Sequence, residues 1–151
     1  MLKEKLLLLV DDDEDDSFLF REILTEVDPA IKLVTAENGR VALSMLGAEN
    51  AVLPDIIFLD LNMPKMDGKQ CLEELKKDDL LRDIPVFIYT TSSQSKDIEY
   101  TLQLGAACFI TKPSSSKDLQ ELLAIIGPNM HNIEKTVQLL SRQSDWVLSN
   151  A

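Results

Sequence analysis

Carboxylates, a hydroxyl and an amine recur in this sequence directly after apolar runs. Asp11, Asp12 and Asp13 follow the first run, Asp60 closes another, Thr90 ends a third, and Lys112 follows a fourth. Carboxylates crowded at the mouth of a buried sheet repel one another in reduced dielectric, and they escape that cost by binding protons or a cation. All-oxygen ligation favours a hard divalent ion, and Mg2+ is the abundant one. A metal-bound carboxylate beside a lysine can attack a phosphoryl group: the carboxylate is the nucleophile, and the two cations neutralise charge on the equatorial oxygens. Asp60 is best placed for that role. A Thr90 hydroxyl can hydrogen-bond the arriving phosphoryl oxygen and draw its loop inward, which turns a chemical event into a surface change. Each residue also has an ordinary explanation alone. The acidic run Asp11 to Asp16 reads as a solvated turn, Thr90 as a strand end satisfying backbone groups, and Lys112 as a surface lysine before a proline. Their conjunction is what points to chemistry.

The elements that must position these side chains are legible as alternating patterns. Continuously apolar or β-rich runs cover Lys5 to Val10, Ile31 to Ala36, Asp55 to Leu59, Pro85 to Thr90 and Ala107 to Thr111, as expected for strands buried on both faces. Between them, apolar residues recur at three- and four-residue spacing. The stripes are Phe18, Phe20, Ile23, Leu24 and Val27; Val41, Ala42 and Met45; Cys71, Leu72 and Leu75; Ile98, Thr101 and Leu102; and Leu119, Leu122, Leu123 and Ile126. Asn38-Gly39 precedes the second helix, Gly105 closes the fourth, and Ser115 stands three residues ahead of Asp118 as a cap for the fifth. Five β-α units in strict alternation imply a doubly wound α/β fold, a parallel sheet with helices on both faces. In such a sheet ligands bind beyond the carboxyl ends of the strands, where the polar residues stand.

Beyond the fifth helix, Gly127-Pro128 is expected to break the chain. Met130, Ile133, Val137, Leu140 and Val147, interrupted by Ser144, then predict a sixth, amphipathic helix. This gives a main domain over residues 3–127 and a C-terminal amphipathic helical extension over 128–151, which packs on its own domain or pairs with a partner, including a second copy as a homodimer. At 151 residues one core is expected.

Fifteen Lys and Arg against 26 Asp and Glu leave a net charge of −11, which repels nucleic-acid backbones and anionic lipid surfaces. No apolar run approaches the roughly 20 residues of a membrane helix, and no signal peptide is legible, so a cytoplasmic protein is expected. Cys71, Cys108 and the single His131 form neither a disulfide framework nor a zinc pattern.

At five places the chain resembles the receiver domains of two-component response regulators. These are Leu8 to Asp13 (LLVDDD), Asp60 to Pro64 (DLNMP), Asp67-Gly68, Tyr89-Thr90-Thr91 and Lys112-Pro113. The resemblance implies a flavodoxin-like fold with strand order 2-1-3-4-5 and phosphorylation at Asp60. It implies Asp11 and Asp12 as the acidic pair, with Asp12 a direct Mg2+ ligand and the backbone carbonyl of Asn62 another. Thr90 and Lys112 take the switch and phosphate-binding roles, and Phe109 matches the aromatic that moves with the threonine. It further implies a cis Lys112-Pro113 peptide, and a phosphate lifetime set in part by Asn62, Thr91 and Ser92.

The reading that follows is a single-domain receiver. It takes a phosphoryl group from a histidine kinase or phosphotransfer protein, catalyses its own acceptance, and switches binding to a downstream protein target, with a partner face on the fourth helix, fifth strand and fifth helix. Two rivals keep the fold. A non-phosphorylated scaffold usually loses an acidic or lysine position, whereas all are present here. An aspartyl-phosphate hydrolase typically carries a second aspartate two residues after the nucleophile, where this chain has Asn62. A nucleotide-binding domain of similar winding lacks its glycine signature here, since neither GxGxxG nor GxxxxGK[ST] follows any strand.

Overall fold

The computed structural model describes residues 4–149. Its chain order is β1 (Lys5–Val10), α1 (Glu14–Val27), β2 (Ile31–Ala36), α2 (Gly39–Leu46), β3 (Ile56–Leu59), α3 (Gly68–Lys77), β4 (Val86–Thr90), α4 (Ser95–Gln103), β5 (Cys108–Thr111), α5 (Ser116–Asn129), α6 (Ile133–Gln143) and β6 (Val147–Leu148). The sheet runs β2-β1-β3-β4-β5-β6; its first five strands pair parallel in the expected order 2-1-3-4-5, and β6 joins antiparallel. The fold is the expected flavodoxin-like one, with a sixth strand added to the five.

Side chains alternate across a strand, so each apolar run divides between two faces. Leu7, Leu9, Phe58, Phe87, Tyr89 and Ile110 pack against α1, α5 and α6, where Phe20 meets the rings of Phe58 and Tyr89 edge-on at 5.4 and 5.7 Å. Leu8, Val10, Ile57, Leu59, Ile88 and Phe109 face the opposite layer of α2, α3 and α4. Burial of each such side chain contributes roughly 1.5–3 kcal/mol, and two layers of them hold the strand ends in fixed register.

Caps fix where the helices begin. Asp13, Asn38, Asp67, Ser115 and Asn132 each accept a bond from a backbone N–H of the following turn, and Asp67 with Gln70 completes a reciprocal capping box. Gly105, at φ 108°, closes α4 in the left-handed region that favours glycine.

Two expectations for the C-terminal region are corrected. Gly127-Pro128 does not break α5, which runs to Asn129. Neighbouring side chains satisfy the carbonyls of that last stretch: Lys5 Nζ donates to Gly127 O, Asn129 Nδ2 to Ile125 O and Thr136 Oγ1 to Asn129 O, at 2.7–2.8 Å. Nor does the sixth helix reach Val147. It ends at Gln143 with Ser144 as its C-cap, and Val147 and Leu148 lie opposite Ile110 and Phe109 on β5. The free edge of β5 offers unpaired backbone groups, and pairing with β6 satisfies them. Met130, Val137, Leu140 and Val147 are all buried in the α1/α5 layer, so α6 and β6 pack on this chain's own core.

Candidate functional site

At the carboxyl end of the sheet the order reverses around β1, whose neighbours are β2 and β3, and this crevice is where a doubly wound fold binds ligands. Asp11 leaves β1 with its N–H donating to Ala36 O at 3.0 Å, and Asp60 leaves β3 donating to Val10 O at 2.9 Å. Two backbone bonds thus carry the sheet ladder one residue past the strands and hold both carboxylates at its rim. Asp11 and Asp60 are buried and Asp12 is exposed; one carboxylate oxygen from each lies within 4.8 Å of the others.

Lys112 reaches this group from the end of β5. Its Nζ lies 2.7 Å from Asp11 Oδ2, 2.8 Å from Asp16 Oδ2 and 3.5 Å from Asp60 Oδ2. Its backbone N–H donates to Thr90 O at 2.7 Å, which ties the start of the β5–α5 loop to the end of β4. The Lys112-Pro113 peptide is trans, since no described peptide bond is cis; this corrects the expected cis form. Trans is the lower-energy isomer of a prolyl bond by about 0.5–1 kcal/mol, and the long lysine side chain meets all three carboxylates from it.

Burial pushes the Asp11 carboxyl up to about 6, and the charge on Asp60 adds to the rise, while Lys112 and the Asp13 N–H, 2.9 Å from Oδ1, oppose it. Burial acts to lower Lys112, but its bonds to Asp11 and Asp16 and the charge on Asp60 outweigh it and hold the ammonium above the ordinary lysine range. One fixed cation therefore faces four carboxylates: Asp11, Asp16 and Asp60 directly, with Asp12 beside them. That uncompensated charge, presented wholly by oxygen atoms, fits a hard divalent cation.

Thr90 is fully buried, and its Oγ1 faces the Ser92 N–H at 3.5 Å. The β3–β4 register sets Leu59 level with Ile88, so Asp60 and Thr90 leave adjacent strands at the same end of the sheet. The Asn62 N–H points to Asp60 Oδ1 at 3.4 Å, so the chain turns sharply there. Gly68 explains that turn: its N–H donates to Leu61 O at 2.9 Å, and a Cβ on it would meet Asp60 O at 2.1 Å, so only glycine lets α3 start so close to the strand end. Phe109 is fully buried with Leu102 and Ala106 in the α4-side layer.

Every residue singled out from the sequence thus stands at one end of the sheet except Phe109, which lies inside the adjacent layer. Asp16 was missed as a contributor. It lies in the first turn of α1, three residues after the N-cap Asp13, a helical spacing that could have marked it as facing the same mouth. Among the described residues no helix is long and apolar enough to cross a membrane.

Known proteins share this fold. The sequence profile of the response regulator receiver domain matches residues 7–124. The response regulator Rcp1 of Synechocystis is 36% identical over 123 residues, covering 79% of this chain and 84% of Rcp1. The crystal structure of phosphorylated RcpA, a cyanobacterial phytochrome response regulator, superposes with a TM-score of 0.79 at 34% identity over 86% of this chain and 96% of RcpA. The Mn2+-bound structure of Rcp1 superposes with a TM-score of 0.73 at 35% identity, over 81% and 91% of the two chains. With a match that spans its sheet from β1 to α5 and a relative alike over most of both lengths, this chain belongs to the response regulator receiver family.

Proposed function

We propose that the chain is a Mg2+-dependent phosphoryl acceptor with Asp60 as the nucleophile. The observation that carries this reading is the convergence of Asp11, Asp12 and Asp60 carboxylates within 4.8 Å, with the Lys112 ammonium 3.5 Å from Asp60. The cation would be held by the Asp12 and Asp60 carboxylates and the Asn62 carbonyl, with Asp11 behind them, and would supply charge neutralisation on the transferring group. The Mn2+ in Rcp1 supports a divalent ion in this setting.

In the transfer an Asp60 oxygen attacks phosphorus, the phosphorus–nitrogen bond of a donor phosphohistidine breaks, and its electron pair stays on the imidazole. Lys112 neutralises an equatorial oxygen, which requires the ammonium to shift from Asp11 and Asp16 toward the new charge. Thr90 then donates its hydroxyl to a phosphoryl oxygen and draws the β4–α4 loop inward. Phe109, packed beneath α4, follows that movement, and the binding face of α4, β5 and α5 changes for a downstream protein. Slow hydrolysis of the acyl phosphate resets the switch. The donor is a histidine kinase or phosphotransfer protein, and the acidic charge of the chain suits a protein partner rather than nucleic acid.

The test is intact mass over time with a small phosphodonor and Mg2+, beside an Asp60→Asn variant and an EDTA control. A single adduct that needs Mg2+ and is absent from Asp60→Asn is expected. A folded protein that gains no adduct would favour a constitutive binding scaffold instead.

A further inference from the structure

The β4–α4 loop is held by a second set of polar contacts, away from Lys112. Asp97 lies in the first turn of α4 yet is buried, and its two oxygens are engaged in different directions. Oδ1 is 2.5 Å from Lys69 Nζ, and Oδ2 accepts from Ser92 Oγ at 2.9 Å. Lys69 is the second residue of α3, directly after Gly68, whose close approach fixes that helix to the end of β3 beside Asp60. Ser92 lies two residues beyond Thr90, and its N–H faces Thr90 Oγ1. A continuous path of contacts therefore runs from the Asp60 strand end through Gly68, Lys69, Asp97 and Ser92 to Thr90.

Local chemistry makes this arrangement more than a surface ion pair. Gln94, the N-cap of α4, makes no side-chain cap bond, so the start of α4 lacks the anchor that five other helices have. Asp97 turns its carboxylate back to Ser92 and across to α3 instead. The Lys69 bond holds the Asp97 carboxyl below the usual carboxylate range, outweighing its burial, and the Ser92 hydroxyl contributes in the same direction. One turn further along, Tyr100 OH donates to Glu73, and Lys69 Nζ sits 5.8 Å from the Tyr100 ring centre. Lys69 and Glu73 on α3 thus face Asp97 and Tyr100 on α4 as a polar seam that ends at the loop carrying Thr90.

We propose that Lys69 and Asp97 are positioning residues for the phosphoryl chemistry at Asp60: with Ser92 they clamp the β4–α4 loop to the head of α3 and hold Thr90 in its unphosphorylated position. The inference rests on Asp60 being the acceptor. The clamp opposes the inward movement of Thr90, so opening it lowers the cost of the phosphorylated conformation and lengthens the life of the adduct.

The experiment compares adduct decay by intact mass after acetyl phosphate is removed, in excess Mg2+, for the whole chain and for Lys69→Met, Asp97→Asn, the double variant and Lys69→Arg. Lifetimes about three- to tenfold longer in each single variant are expected, the range by which a coupling residue outside the site changes an equilibrium. The double variant should be no longer-lived than either single, because both remove the same contact. Lys69→Arg should return to within about twofold of the wild type, since a guanidinium also pairs with a carboxylate. Should Lys69→Met not fold, Lys69→Gln removes the charge with a side chain that keeps a polar end and carries the same expectation. Wild-type lifetimes throughout, or effects that add in the double variant, overturn the clamp while the acceptor reading stands. A wild-type protein that takes no phosphoryl group overturns the acceptor reading and the clamp together.

Discussion

The Lys112 ammonium lies closer to Asp11, at 2.7 Å, than to Asp60, at 3.5 Å. The only cation in direct contact with the cluster, among the described residues, is thus committed to the buried carboxylate of β1 and leaves Asp60 less screened. Charge balance here is incomplete without a second cation, and several measurable consequences come from that.

Lys112→Met should lower stability and make it strongly dependent on divalent metal. Removing the ammonium leaves Asp11 and Asp60 buried without their partner, a change that costs about 3–5 kcal/mol for a buried pair. A divalent cation held by the acidic cluster would replace part of the lost charge. Melting curves in EDTA and in excess Mg2+ should show a larger metal-dependent rise in Tm for the variant than for the wild type.

Asp11 titrates in the direction that opposes folding at neutral pH. Its folded pKa, about 6, is raised from an ordinary value of 3.8, so between those values the folded chain keeps a proton that the unfolded chain has released. The contribution of this group to stability therefore falls as pH rises from about 4 to about 6, and remains unfavourable above. In EDTA, Asp11→Asn should exceed the wild type in urea stability at pH 7.5 by roughly 1–3 kcal/mol. The gap should narrow as the pH is lowered toward 4, where Asp11 is protonated in both states. Mg2+ at pH 7.5 should narrow it from the other side, by stabilising the wild type more than the variant.

Gly68→Ala should be costly without touching a carboxylate. A Cβ 2.1 Å from Asp60 O forces the head of α3 away from the end of β3. Overpacking against backbone costs about 1–3 kcal/mol or more. Urea unfolding should show that loss, together with weaker Mg2+ binding, because the Asp60 strand end moves with the helix.

Leu140→Ala tests where the C-terminal helix belongs. Leu140 is buried in the layer of α1 and α5, so its truncation should cost about 2–5 kcal/mol. The loss should be independent of protein concentration, whereas a helix whose apolar stripe served a second copy would show a melting point that rises with concentration.

Much of this architecture is present in the local pattern of residues. The first two strands begin and end where their apolar runs do, at Lys5–Val10 and Ile31–Ala36. The other three begin one residue later than their runs. Asp55 spends its side chain on the Leu6 N–H, Pro85 has no N–H to give a ladder, and Ala107 bonds to Val86 O just ahead of the strand. Asp11, Asp60, Thr90 and Lys112 could be placed at one mouth because strict β-α alternation leaves every strand pointing the same way.

Contacts between elements were not legible in the same manner. Asp16 as a Lys112 partner depends on the rotation of α1, and the Lys69–Asp97 pair on the separation of α3 and α4, neither of which leaves a period in the chain. Strand β6 is two residues long, too short for any alternation, and exists because β5 presents a free edge beside it. The run of α5 through Pro128 depends on Lys5, 122 positions away in the chain, reaching Gly127 O. Sequence by itself determined which residues are apolar, which are charged and in what order they alternate, because those properties are local. Tertiary structure alone decided which charges meet, because a contact between distant residues is a property of the packed layers and of no single segment.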